Sequence, residues 1–135
     1  MEVKMKANEL RIGNLVDLGN RIAKVTEIYP LACMVADLEQ TQDTLESYER
    51  VTGIPLTEEW LLKFGCQRTR QGWFISANYS LYNPLTEFNT PSSKYYGLMF
   101  NDKYITTRAV VYVHQLQNLY FTLTGEELTI GGNNE

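Results

Sequence analysis

Ile54-Pro55-Leu56-Thr57-Glu58-Glu59-Trp60-Leu61-Leu62-Lys63-Phe64-Gly65 divides the chain, because helix signals here interrupt strand signals on both sides. The proline pushes Ile54 out of the helical region, so the segment enters in an extended conformation. Thr57 can cap a helix beginning at the next residue, and Glu58 and Glu59 fall in its first turn, where the helix dipole favours anions. Trp60, Leu61 and Phe64 form an apolar stripe, Lys63 sits in the last turn, and Gly65 supplies a C′ residue. The spacing predicts a short helix of two turns between Thr57 and Gly65, linking two strand-rich parts.

Upstream, Leu15-Val16-Asp17-Leu18 runs into Gly19-Asn20, a two-residue turn signal. Arg21–Tyr29 alternates in polarity and stops at Pro30, which has no N–H for a ladder. Leu31–Leu38 is a further apolar strand, and Leu45–Thr52 is a fourth after a polar loop. Four short strands opened by Leu10-Arg11-Ile12-Gly13-Asn14-Leu15-Val16 predict a small SH3-like β-barrel over residues 5–56.

Downstream, strands return. Trp73, Ile75, Ala77, Tyr79 and Leu81 share one face, with Phe74, Ser76, Asn78, Ser80 and Tyr82 on the other. Tyr95–Phe100 and Lys103–Thr107 flank a hairpin candidate at Asn101-Asp102. A final helix is expected from about Val111 to Thr124, ended by Gly125, with Tyr112, Val113, Leu116, Leu119, Tyr120 and Leu123 on its apolar arc. Glu127–Ile130 is a possible short strand. The fold expected is therefore α+β: the SH3-like barrel, the linking helix, and over 57–135 an antiparallel sheet packed by the C-terminal helix, all in one compact unit.

A chain of 135 residues and 15.6 kDa, 44% hydrophobic and 21% charged, can bury a core without disulfides or metal. The net charge of −4 is uneven: seven carboxylates face Arg50 alone between Asp37 and Glu59. No run of Lys or Arg suits a phosphate backbone, which argues against sequence-independent nucleic-acid binding. The N-terminal Met1–Lys6 is charged and has no apolar targeting core, and no apolar run is long enough to span a bilayer. Cys33 and Cys66 are then expected as reduced, buried thiols in a cytoplasmic protein.

Chemistry-bearing patterns are sparse. His114 is the only histidine, so a nucleophile–base pair would have to use it. Two cysteines and one histidine do not make a zinc site, and neither phosphate-loop nor dinucleotide glycine patterns occur. No metal or other cofactor is expected. Glu58-Glu59 and Glu126-Glu127 are adjacent pairs that do not face each other on a helix. Two features suit recognition. Gln71–Ser93 holds Glu87 as its single charge among tyrosines, asparagines and serines, a composition of adaptable contact surfaces. From Ala109 to Gly125 there is no Asp, Glu, Lys or Arg, so the arc with Phe121, His114, Gln117 and Asn118 could be an interface core.

Ile54–Gly65, together with Tyr112-Val113-His114-Gln115-Leu116-Gln117-Asn118-Leu119-Tyr120-Phe121, Leu123-Thr124-Gly125-Glu126-Glu127-Leu128 and Leu10–Asn14, resembles a family of small uncharacterised proteins encoded in prophages and mobile elements of gut bacteria. The resemblance covers nearly the whole chain. It departs at Cys66, where an aromatic is expected, and at Thr122, where alanine is expected. It implies a phage or mobile-element origin and carries no activity, cofactor or catalytic residue.

The expectation is a non-catalytic accessory protein that binds another macromolecule, protein foremost or a second copy of itself, and no membrane. Candidate contact residues are Phe121, His114, Gln117 and Asn118 on the last helix and Phe74, Asn78 and Tyr82 on the second sheet. A second reading is nucleic-acid binding by the barrel, requiring Lys4, Lys6, Arg11, Arg21 and Lys24 on one face. An enzyme using His114 in a cleft is the third.

Overall fold

A computed structural model describes residues 5–38, 43–69, 72–76, 79–82, 96–100, 103–104 and 110–130. The chain is mixed α+β, with two antiparallel sheets and few helices. It forms two compact units. The first runs to Pro55 and regains Tyr112–Thr124; the second holds Leu56–Val111 and the chain from Gly125.

In the first unit β1 (Leu15–Asp17), β2 (Ile22–Ile28), β3 (Ala32–Asp37) and β4 (Asp43–Ser47) form a meander in chain order. The turn at Gly19-Asn20 forms as expected: Gly19 takes φ 96°, and Leu18 N–H donates to Arg21 C=O at 2.9 Å. Period-two alternation sends Val16, Ala23, Val25, Cys33 and Val35 inward, where Leu10, Tyr48 and Val51 join them. The expected strand over Leu45–Thr52 is broken. Ser47 Oγ accepts Glu49 N–H at 3.3 Å and starts a 3-10 turn at Tyr48–Arg50, which sinks Tyr48 into the core. Beyond it, Asp17 and Thr52 exchange N–H···O=C bonds of 2.9 Å each, a single rung returning the chain to β1. No closed barrel is present among the described residues.

In the second unit α1 (Glu58–Lys63) starts where Thr57 Oγ1 accepts Trp60 N–H at 3.4 Å and ends at Gly65, φ 84°. β5 (Gln67–Arg68), β6 (Gly72–Ser76), β7 (Tyr79–Tyr82), β8 (Gly97–Phe100) and β9 (Lys103–Tyr104) make a second meander in chain order. Trp73 pairs with Leu81 and Leu81 with Leu98, all buried, while Phe74, Ser80 and Met99 line up on the opposite face. Trp60, Leu61, Phe64, Ile75 and Tyr96 are also buried in this unit. β5 lacks a polarity signal of its own; both residues are exposed and β6 recruits them.

α2 (Val113–Thr124) begins two residues later than its periodicity indicates. Val111 C=O accepts Leu56 N–H at 2.8 Å and Tyr112 bridges Pro55, so these two residues of the helix signal are not helical. Gln115 Oε1 then accepts Tyr112 N–H at 3.0 Å, half of a capping box. The helix stops at Gly125, φ 76°. From the sequence this helix is expected on the second sheet; instead it belongs to the first unit and contacts β1. Its buried residues are Val113, His114, Leu116, Gln117 and Tyr120, whereas Tyr112 and Leu123 are exposed. The buried face is thus rotated toward the uncharged polar arc. Residues 127–130 form no strand, although Leu128 is buried. No described helix is long and apolar enough to cross a membrane.

Candidate functional site

The rotation of α2 has a polar cause. Gly13 takes φ 100° and turns the chain so that Asn14 Oδ1 accepts Arg11 N–H at 2.7 Å, leaving the 13–15 backbone facing the helix. Gln117, 3% exposed, answers it: Oε1 accepts Leu15 N–H at 2.8 Å and Nε2 donates to Gly13 C=O at 3.3 Å. The next residue along α2, Asn118, reaches the same segment. Asn118 Oδ1 accepts from Asn14 Nδ2 at 2.7 Å and Arg11 Nη1 at 2.9 Å, and its Nδ2 donates to Glu9 C=O at 3.1 Å. Buried amides are tolerated only when bonded, and these bonds tie residues 9–15 to α2.

Above this clasp Arg11 lays its guanidinium 4.0 Å from the centre of the Phe121 ring. Phe121 is 37% exposed, so one ring face is covered by its own chain and part of the ring remains open. Ile12, next to Arg11, is exposed too. An arginine stacked on an aromatic with apolar neighbours is chemistry enriched in protein interfaces. The four helix candidates therefore divide. Gln117 and His114, expected at the surface, are buried. Asn118 is half-buried and bonded within the chain, and Phe121 retains an open face.

His114 stacks on Tyr112, with ring centroids 5.8 Å apart and 17° between planes, and the pair backs Gly53. A Cβ on Gly53 would lie 2.7 Å from the Tyr112 ring, so only glycine fits. His114 Nδ1 is buried and has no hydrogen-bond partner among the described residues. Burial holds its pKa below the ordinary histidine value, and the Glu9 charge opposes that shift.

Both thiols are free and buried. Burial foremost, then the Glu46 charge, raises the Cys33 pKa; burial pushes Cys66 up to about 11. Such thiols are poor nucleophiles. Among the described residues no three His, Cys, Asp or Glu side chains group as metal ligands.

Two of the five basic residues expected on a barrel face are engaged. Arg11 is held by Asn118 and Phe121, and Arg21 Nε donates to Asp37 at 2.5 Å while its Nη2 reaches Glu46 at 3.2 Å. Lys6 and Lys24 are exposed, and Lys4 lies outside the described residues. On the second sheet Phe74 is exposed and Tyr82 half-buried, its ring lying over Gly97, where a Cβ would come within 2.1 Å. Asn78 lies outside the described residues.

Asn14 is the position the sequence does not point to; Arg11, expected as one of five basic residues on a barrel face, is instead bonded to Asn118 and stacked on Phe121. The one available signal was a helix with amides and no charge, which demands polar partners somewhere in the chain. No family model matches the chain, and neither a curated protein nor a solved structure matches it.

Proposed function

We propose that this is a non-catalytic binding module, of phage or mobile-element origin and acting in the cytoplasm, whose partner is another protein. The observation that carries the reading is the Arg11–Phe121 stack with part of the Phe121 ring exposed, and the residue after Arg11, Ile12, is exposed as well. Aromatic and arginine side chains anchored on a rigid support dominate interface energetics, and the Gln117 and Asn118 bonds supply that support. The resemblance of Ile54–Gly65 and Tyr112–Leu128 to prophage-encoded proteins supports the origin. We read the meander, the 3-10 turn and the Asp17–Thr52 rung as a small SH3-like barrel that presents this surface.

The test is capture from host lysate by immobilised wild type and by Phe121→Asp, with light scattering of both proteins. Loss of an interface anchor weakens binding by roughly 30-fold or more, so the variant should lose the captured partner while keeping its fold. Equal capture by the two proteins, or capture of nucleic acid alone, overturns the reading.

A further inference from the structure

β4 is the outer strand of its sheet: β3 holds one edge, and no described strand holds the other. Proteins usually blunt such an edge with proline, lysine, a bulge or very short length, because its unpaired N–H and C=O groups template further pairing. β4 has no proline, lysine or bulge, and its one core-side charge, Glu46 opposite buried Cys33, is answered by Arg21. Asp43–Ser47 pairs with β3 without a register shift and contains no proline, lysine or arginine. Four of its five residues are exposed; Glu46 is the half-buried one. On the face away from the core, Leu45 stands opposite the half-buried Met34 and is 62% exposed, an apolar seat beside the open edge.

Charge decides what can add there. Around β4 the sequence of the first unit carries Asp37, Glu39, Asp43, Glu46 and Glu49 against Arg50 between positions 37 and 55. Arg21, just before β2, answers Asp37 and Glu46, Arg50 Nε lies 3.9 Å from Glu46, and Asp43 accepts from the Thr26 hydroxyl at 3.2 Å. A second copy docking edge to edge would bring two such acidic stretches together. A basic strand would find attraction instead.

We propose that the β4 edge accepts an extended basic segment of another protein as an added antiparallel strand. Main-chain bonds to the edge supply affinity. An apolar side chain of the partner rests on Leu45 and Met34, and its lysines or arginines, alternating with the apolar positions, meet Glu46 and the surrounding acidic field. This surface is separate from Phe121, so the two readings stand or fall independently.

The probe is a blocked hexapeptide alternating lysine and valine, titrated into the full chain and followed by amide NMR at low and physiological salt. Shifts should centre on the β4 amides. Binding should weaken by about ten-fold or more for a glutamate–valine peptide and for Leu45→Lys, and should be unchanged for Phe121→Asp. A lysine–valine peptide methylated on its backbone nitrogens keeps charge and side chains but loses its edge donors. It should also bind at least about ten-fold more weakly, a test independent of any variant's folding. Equal binding by the methylated peptide, shifts spread over the acidic surface without β4, or a free protein that dimerises through β4 overturns the proposal.

Discussion

Replacing Gln117 with leucine asks whether α2 is held to its unit by polar bonds or by apolar packing alone. Leucine has a similar volume and no polar atom, so Leu15 N–H and Gly13 C=O lose their partner in a site where Gln117 is 3% exposed. A buried backbone group without a partner costs about 1–3 kcal/mol. The 2.8 Å bond from Leu15 belongs in the upper part of that range and the 3.3 Å bond to Gly13 in the lower, for a gross loss of about 3–4 kcal/mol. Burying the leucine carbons offsets about 1 kcal/mol, leaving about 2–3 kcal/mol. Small domains have about 5–15 kcal/mol in all, so the variant folds but is visibly weakened. The urea midpoint should fall by about 1 M, given slopes of about 1–3 kcal/mol/M. Exchange at the Leu15 amide should accelerate by roughly 30- to 150-fold. A Leu15 amide as protected as in wild type would refute the reasoning, because packing alone would then hold the helix.

His114 sets a pH dependence: its folded pKa lies below the ordinary value of 6.5 because of burial, so the unfolded chain binds the proton more readily. Its stabilising contribution is complete above about pH 6.5 and declines as the pH falls below that value, levelling off under the folded pKa; His114→Gln should lose less stability between about pH 7.5 and about pH 5, and equal losses count against the assignment. Cys33 and Cys66, both buried with raised pKa values, should resist a disulfide reagent in the native protein and react only on unfolding; rapid native labelling contradicts their burial. Trp60→Ala removes the ring packed 5.9 Å from Phe64 and should cost about 3–5 kcal/mol, whereas a wild-type melting temperature would show that α1 is not anchored there.

Local signals were legible, and nonlocal ones were not. The Thr57 cap, the acidic first turn and Gly65 identify α1 because each acts within a few residues, as does the turn at Gly19-Asn20. α2 starts later than its periodicity indicates because Val111 and Tyr112 are claimed by Leu56 and Pro55, 55 and 57 positions away in sequence. The orientation of α2 was misread for the same reason. Periodicity ranks Leu123 above Gln117 for burial, but free backbone groups at Gly13 and Leu15 reverse that order. The 3-10 turn at Tyr48 was likewise hidden in an apparent strand. The lack of charge across α2 suits the buried His114 and Gln117, whereas Phe121, Thr122 and Leu123 of the same uncharged helix are exposed.

The first unit is interrupted in sequence: its chain leaves at Pro55 and returns at Tyr112, and the two ends are bridged to each other. During synthesis this arrangement imposes a wait. Leu15 and Gln117 are 102 residues apart, which at about 5–20 residues per second is roughly 5–20 s of translation. Through that interval the backbone at Gly13 and Leu15 relies on water, and the inner face of β1 lacks its helix. The inserted stretch from Leu56 to Val111 therefore works as a clock. Lengthening it would extend the vulnerable period of the nascent chain.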